Sequence, residues 1–144
     1  MMPEIALLVA RAPTLAERLL LVALDGVTPR PRLRSQLEVD GRRIDVAVEL
    51  GGRRLAVILG RTGEFRTAAD VARDEALERA GWPVYRLPPD RVTTRPQRAA
   101  GDVLAALHER GAPVPRRVPA ARREASPAPL AALRELCGQL GRTS

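Results

Sequence analysis

"RSQLEVDGRRIDVAVELGGRRLAVILG", residues 34–60, decides the fold. Asp40-Gly41 and Gly51-Gly52 are pairs that tolerate positive φ at both positions, as a two-residue hairpin turn requires. Between them the residues alternate. Ile44, Val46, Val48 and Leu50 fall on one face, and Arg43, Asp45, Ala47 and Glu49 on the other. "LRSQLEV" precedes this strand and "RRLAVILG" follows it, so the stretch predicts a three-stranded antiparallel meander with one apolar face. Counting back from Gly51-Gly52 sets Leu50 against Arg53, Glu49 against Arg54 and Asp45 against Ile58. On this register Glu49 and Arg54 form a ladder ion pair, and Arg43 is the same-face neighbour of Asp45.

Working outward, Thr14-Leu15-Ala16-Glu17 has capping-box spacing and leads into an apolar run, predicting a helix from Thr14 to about Asp25-Gly26. "TPRPR" (28–32) and "RTGEFRT" (61–67) read as loops. Residues 68–81 have helical spacing closed by Gly81, "WPVYRL" (82–87) is a short strand, and "PPDRVTTRP" (88–96) is a loop. A last helix spans 96–111. A helix between the third and fourth strands makes that pair parallel. The expected architecture is α/β (α+β), in the order αβββαβα: a mixed sheet of about four strands flanked by helices. The expected domain covers 1–111, followed by a Pro/Arg/Ala-rich linker over 112–128 and a short C-terminal helix and tail over 129–144.

Composition narrows the function classes. Aromatic residues are 2% of the chain, so the core is aliphatic and few rings are left to stack on bases. The net charge is +7, and all 24 basic residues are arginine. Such a charge favours acidic partners, although the arginine bias together with abundant alanine also fits a GC-rich coding sequence. One cysteine, Cys137, excludes an internal disulfide framework and a cysteine-rich zinc site. No apolar run is long enough to span a membrane. "MMPEIALLVARAP" has no basic residue before its apolar stretch, which argues against a secretory signal and for a cytoplasmic protein.

The element order, with "TLAERLLLVAL", "RSQLEVDGRRIDVAV", "RRLAVILG" and "VARDEALERAGWPVYRL", resembles the restriction-endonuclease-like (PD-(D/E)XK) superfamily. Within it, the similarity is to the very-short-patch-repair-like small domains of unknown function. Asp70, Arg73, Leu77, Gly81, Trp82, Val84 and Arg86 match that group's most specific pattern, and the resemblance covers about residues 14–110. It implies a second-strand Asp and a third-strand acid sharing one or two Mg²⁺ ions. A Lys two residues after that acid positions the attacking water. Clustered anionic oxygens suit Mg²⁺, a hard octahedral ion that activates water and clamps a phosphate.

Mapped onto this chain, the second-strand Asp is Asp45, the acid position is Ile58 and the Lys position is Gly60. "LAVILG" offers no acid or base in any register, so the expected site is a remnant. Glu17 matches the family's first-helix Glu, but its place as the N3 residue of the capping box alone accounts for it, and that reading is preferred to a metal ligand. Glu64, in the loop after the third strand, is the candidate for a migrated ligand. Asp70 and Arg73 are expected to pair on one helix face. His108 reads as exposed, and Trp82 as core.

Three functions follow. The first is a catalytically degenerate nuclease-fold domain that binds nucleic acid or serves as a regulatory or interaction module. Its binding residues would be Arg42, Arg43, Arg53, Arg54, Arg61, Arg66, Arg73 and the arginines of 116–123. The second is an Mg²⁺-dependent endonuclease with a non-standard site of Glu17, Asp45 and Glu64; no cofactor is expected otherwise. The third is a protein–protein module of a defence or toxin–antitoxin system, or a homodimer, joined through the C-terminal helix.

Overall fold

A computed structural model describes residues 3–115 of the chain. The expected C-terminal helix with Cys137, and most of the expected linker, lie outside these residues. The elements are α1 (Pro3–Arg11), α2 (Leu15–Asp25), β1 (Arg32–Val39), β2 (Arg42–Leu50), β3 (Arg53–Leu59), α3 (Ala68–Arg79), β4 (Val84–Leu87), α4 (Pro89–Thr94), α5 (Pro96–Arg110) and β5 (Ala112–Pro113). From α2 to α5 this is the expected order, with α1, α4 and β5 added. "PPDRVTTRP" folds as a helix because Pro89 occupies its first turn, where no N–H is needed. Its Val92 is fully buried. Ala112 and Pro113, expected as linker, pair with Arg54 and Arg53 instead.

Both turns of the opening stretch have positive φ at each central residue: 50° and 79° at Asp40-Gly41, 62° and 78° at Gly51-Gly52. The two-residue turns fix the register. Leu50 lies opposite Arg53 and Val46 opposite Val57, as counted. The sheet runs β1-β2-β3-β4, with β3 and β4 parallel and the other pairs antiparallel. The class is therefore α+β with a mixed sheet.

The meander buries two faces, not one. Val46, Val48, Leu55 and Val57 join Leu20, Leu21 and Leu24 of α2 and Val103 and Leu107 of α5 in the larger core. Ala47, Ala56 and Ile58 pack on the opposite face with Leu77 of α3, Trp82 and Val84. Ile44 joins this second cluster, so the expected alternation fails at Asp45. The reason lies on β1: Gln36, opposite Asp45, has φ +56° and drops out of the ladder between the pairs Ser35–Val46 and Leu37–Ile44. Leaving the β region there turns β2 about Asp45 and carries Ile44 to the other side.

The C-terminus of α3 is tied down by β3. Arg54 donates from Nε to the Gly81 carbonyl at 2.9 Å and from Nη2 to Ala80 at 3.2 Å. Its guanidinium stacks on buried Trp82 at 4.4 Å. Gly81 has φ +90°, and a Cβ there would come within 2.7 Å of Arg54 Nη2. Gly81→Ala is therefore expected to lose about 1–2 kcal/mol in urea denaturation, from backbone strain together with displacement of Arg54. Wild-type stability would show that neither constraint holds.

Candidate functional site

The site lies where β2 parts from β3. The ladder between them ends at Val46–Val57. Asp45 and Ile58 are therefore not a ladder pair. Asp45 instead turns its carboxylate along the sheet, and Oδ2 accepts the Leu59 N–H at 2.9 Å. Asp45 is 9% exposed, too buried for the surface ion pair with Arg43 that its position suggested.

Glu17 arrives from α2. Its N–H is capped by Thr14 Oγ1 at 3.2 Å, but its carboxylate does not close a capping box. Oε1 accepts from Gln36 Nε2 at 2.8 Å, and the residue is 4% exposed. Burial pushes the Glu17 pKa up to about 7, and the charge of Asp45 adds to the rise; Gln36 and Arg43 oppose it. At neutral pH Glu17 is therefore close to half-protonated. The expected second-strand and first-helix acids do converge.

The remaining expected ligands do not join them. Ile58 is buried in the apolar cluster of α3. Glu64 is exposed on the 3-10 turn Gly63–Phe65. No group of three His, Cys, Asp or Glu capable of holding a metal occurs among the described residues. A Cβ on Gly60 would lie 3.2 Å from Nη1 of Arg86, so a guanidinium from β4 fills the space where a Gly60 side chain would start. One oxygen of each acid is already committed to a hydrogen bond, to Leu59 for Asp45 and to Gln36 for Glu17. This donor set is short of what an Mg²⁺ site draws from protein and substrate. The residues do not fit the metal that the resemblance implies.

Beside the pair lies a network of arginines and acids. Arg86, its side chain 7% exposed, binds Asp74 with both branches, at 2.6 Å from Nε and 2.9 Å from Nη2. Arg86 Nη1 also donates to the Arg61 carbonyl at 3.1 Å, and Arg66 reaches Asp74 at 3.1 Å. Asp70 closes the capping box of α3 with Thr67 and accepts from Arg61 Nε at 3.1 Å. The Thr67 N–H, followed by Arg61 and Arg86, holds the Asp70 carboxyl down at about 2. Asp70 therefore does not pair with Arg73 as expected. Arg73 Nε is buried and without a partner among the described residues.

These groups wall a cleft of about 510 Å³ beyond the ends of β3 and β4, which Gly60, Arg61, Phe65, Asp70, Arg73 and Arg86 help to line. Of the expected nucleic-acid contacts, Arg61 and Arg73 face this cleft. Arg42 and Arg43 are exposed at the Asp40-Gly41 end of β2, with Arg42 on the Asp40 carbonyl at 3.2 Å. Arg54 is spent on α3 and Trp82, and Glu49 pairs with Arg34 at 3.5 Å instead. Arg53 donates to the carbonyls of His108 and Gly111. His108 is exposed and Trp82 buried, as read.

The sequence reading missed Gln36 and the Asp74–Arg86 pair. A signal for Gln36 was present: the same count, run across Asp40-Gly41, puts residue 36 opposite 45. No protein-family model, curated protein or solved structure matches the chain.

Proposed function

We propose that this is a nuclease-fold domain of the restriction-endonuclease-like kind that has lost catalysis and binds nucleic acid. The observation that carries the reading is the juxtaposition at Asp45. Two buried carboxylates converge there, Ile58 is buried in apolar core, and the Arg86 guanidinium stands close against Gly60. Immediately beyond stands an arginine-walled cleft suited to phosphate. Of the side chains that line it, Arg61, Arg73 and Arg86 outnumber Asp70, and the whole chain carries +7. Fold analogy alone would not assign binding; the placement of these cations supports it.

The expected result is binding to DNA or RNA that weakens steeply as salt rises, with little sequence preference. Arg73→Ala should weaken it across all sequences and reduce the slope of log affinity against log salt by about 1. No cleavage is expected with Mg²⁺ or Mn²⁺. Absence of binding at low salt, or insensitivity to salt, would sink the nucleic-acid part. Cleavage that disappears in Asp45→Ala would restore an active endonuclease.

A further inference from the structure

We propose that the cleft beyond β3 and β4 receives single-stranded nucleic acid, with one base stacked on Phe65 and the adjoining phosphates on Arg61 and Arg73. This rests on the nucleic-acid reading above and names the form of nucleic acid that the site prefers.

The chain has three aromatic residues, Phe65, Trp82 and Tyr85. Trp82 is buried and Tyr85 partly buried, whereas Phe65, the one phenylalanine, is 70% exposed. An isolated exposed apolar residue needs no explanation in general. This one is placed on the wall of a cleft whose other walls carry arginine. Its backbone is held there: the Phe65 N–H bonds the Thr62 carbonyl at 3.1 Å, and the Arg66 N–H bonds Gly63 at 3.2 Å. The capping box of α3 begins at the next residue but one, Thr67.

The cations are arranged to match. Arg61 spends only Nε on Asp70, which leaves its exposed terminal nitrogens for a phosphate oxygen. Arg73 lines the same cleft and is partly exposed. Arg86 is held by Asp74 and contributes its field rather than a contact. Glu64, exposed beside Phe65, disfavours close approach of phosphate on that side of the turn. Phosphate then lies at the arginine wall, with the base against the ring. Bases paired in a duplex cannot present a free face to Phe65, whereas those of a single strand can. An aromatic platform beside a basic groove is the usual means of holding single strands without regard to sequence.

The test measures anisotropy of a labelled single-stranded oligonucleotide and of the blunt duplex of the same sequence, at low and moderate salt. Phe65→Ala should weaken single-strand binding about ten-fold while barely changing duplex binding. Phe65→Tyr should restore it, and Arg73→Ala should weaken it with a shallower salt slope. Unchanged single-strand affinity in Phe65→Ala, or equal losses for strand and duplex, overturns the stacking inference and leaves nucleic-acid binding standing. A nucleoside monophosphate that binds as tightly as the strand, with the same dependence on Phe65, overturns the strand in favour of a free nucleotide. If wild type binds neither strand nor duplex at low salt, the proposed function fails and this inference fails with it.

Discussion

Asp74→Ala should destabilise the domain by about 3–5 kcal/mol. Against a total stability of about 5–15 kcal/mol, that is among the largest losses one substitution can cause here. Arg86 and Asp74 have side chains 7% and 8% exposed and are joined by two short charge-assisted bonds. Removing the carboxylate leaves a guanidinium that cannot lose its charge in a place where water reaches poorly. The other bonds of Arg86 are to the Arg61 and Asp70 carbonyls, at 3.1 and 3.5 Å, and they do not replace a counter-ion. Asp70 Oδ1 is 3.8 Å away and already serves Thr67 and Arg61 through its other oxygen.

Two controls separate this from a general packing defect. Arg66→Ala removes the more exposed partner of Asp74 and should cost under about 1 kcal/mol. The double variant Asp74→Leu/Arg86→Met removes both charges and should recover much of the loss. Denaturant titrations of the three variants decide it. A small effect of Asp74→Ala alone would mean that the pair is well solvated and that Arg86 is free to serve the cleft directly.

The hairpins were legible in the sequence because a two-residue turn with glycine leaves few choices of register, and one correct count then places every cross-strand neighbour from 46 to 57. The same count could not show that β2 leaves β3 at Asp45. Nor could it show that Ile44 changes sides, which goes with Gln36, an ordinary strand residue by type, entering the left-handed region. Glu17 was misread for a different reason. Thr14 and Glu17 satisfy a local rule, and the local rule is half fulfilled, since Thr14 does cap the Glu17 N–H. The carboxylate goes to Gln36 because α2 packs over the sheet, a tertiary fact with no signature in four residues. Likewise, Arg86 belongs to a recognisable pattern. That its guanidinium would stand against Gly60 depends on the register of the parallel β3–β4 pair, which sets Ile58 beside Arg86.

Glu17→Gln should make the domain more stable above pH 7, by about 2–3 kcal/mol, and should flatten its stability against pH. In the folded state the carboxyl titrates at about 7, against 4.5 for an unperturbed glutamate, because α2 buries it and Asp45 faces it. Between those two values the folded state retains a proton that the unfolded state has released, so stability falls as pH rises through this window. Glutamine keeps an oxygen for Gln36 Nε2, presents an amide rather than a charge to Asp45, and does not titrate. Asp70 acts in the opposite sense. Its carboxyl is held at about 2, so its contribution is present above the ordinary aspartate range and fades as pH falls toward 2. Melting curves of wild type and Glu17→Gln across pH test the sign directly, and parallel curves would show that Glu17 is solvated. The same curves with Mg²⁺ or Mn²⁺ test the remnant reading. A divalent ion seated between Glu17 and Asp45 would offset the unfavourable charge of Glu17 and raise the wild-type Tm above pH 7, but not that of Glu17→Gln. The expected result is no such rise. One confined to wild type would mean that substrate or backbone oxygens complete a metal site despite Ile58 and Gly60, and the degenerate reading would fall.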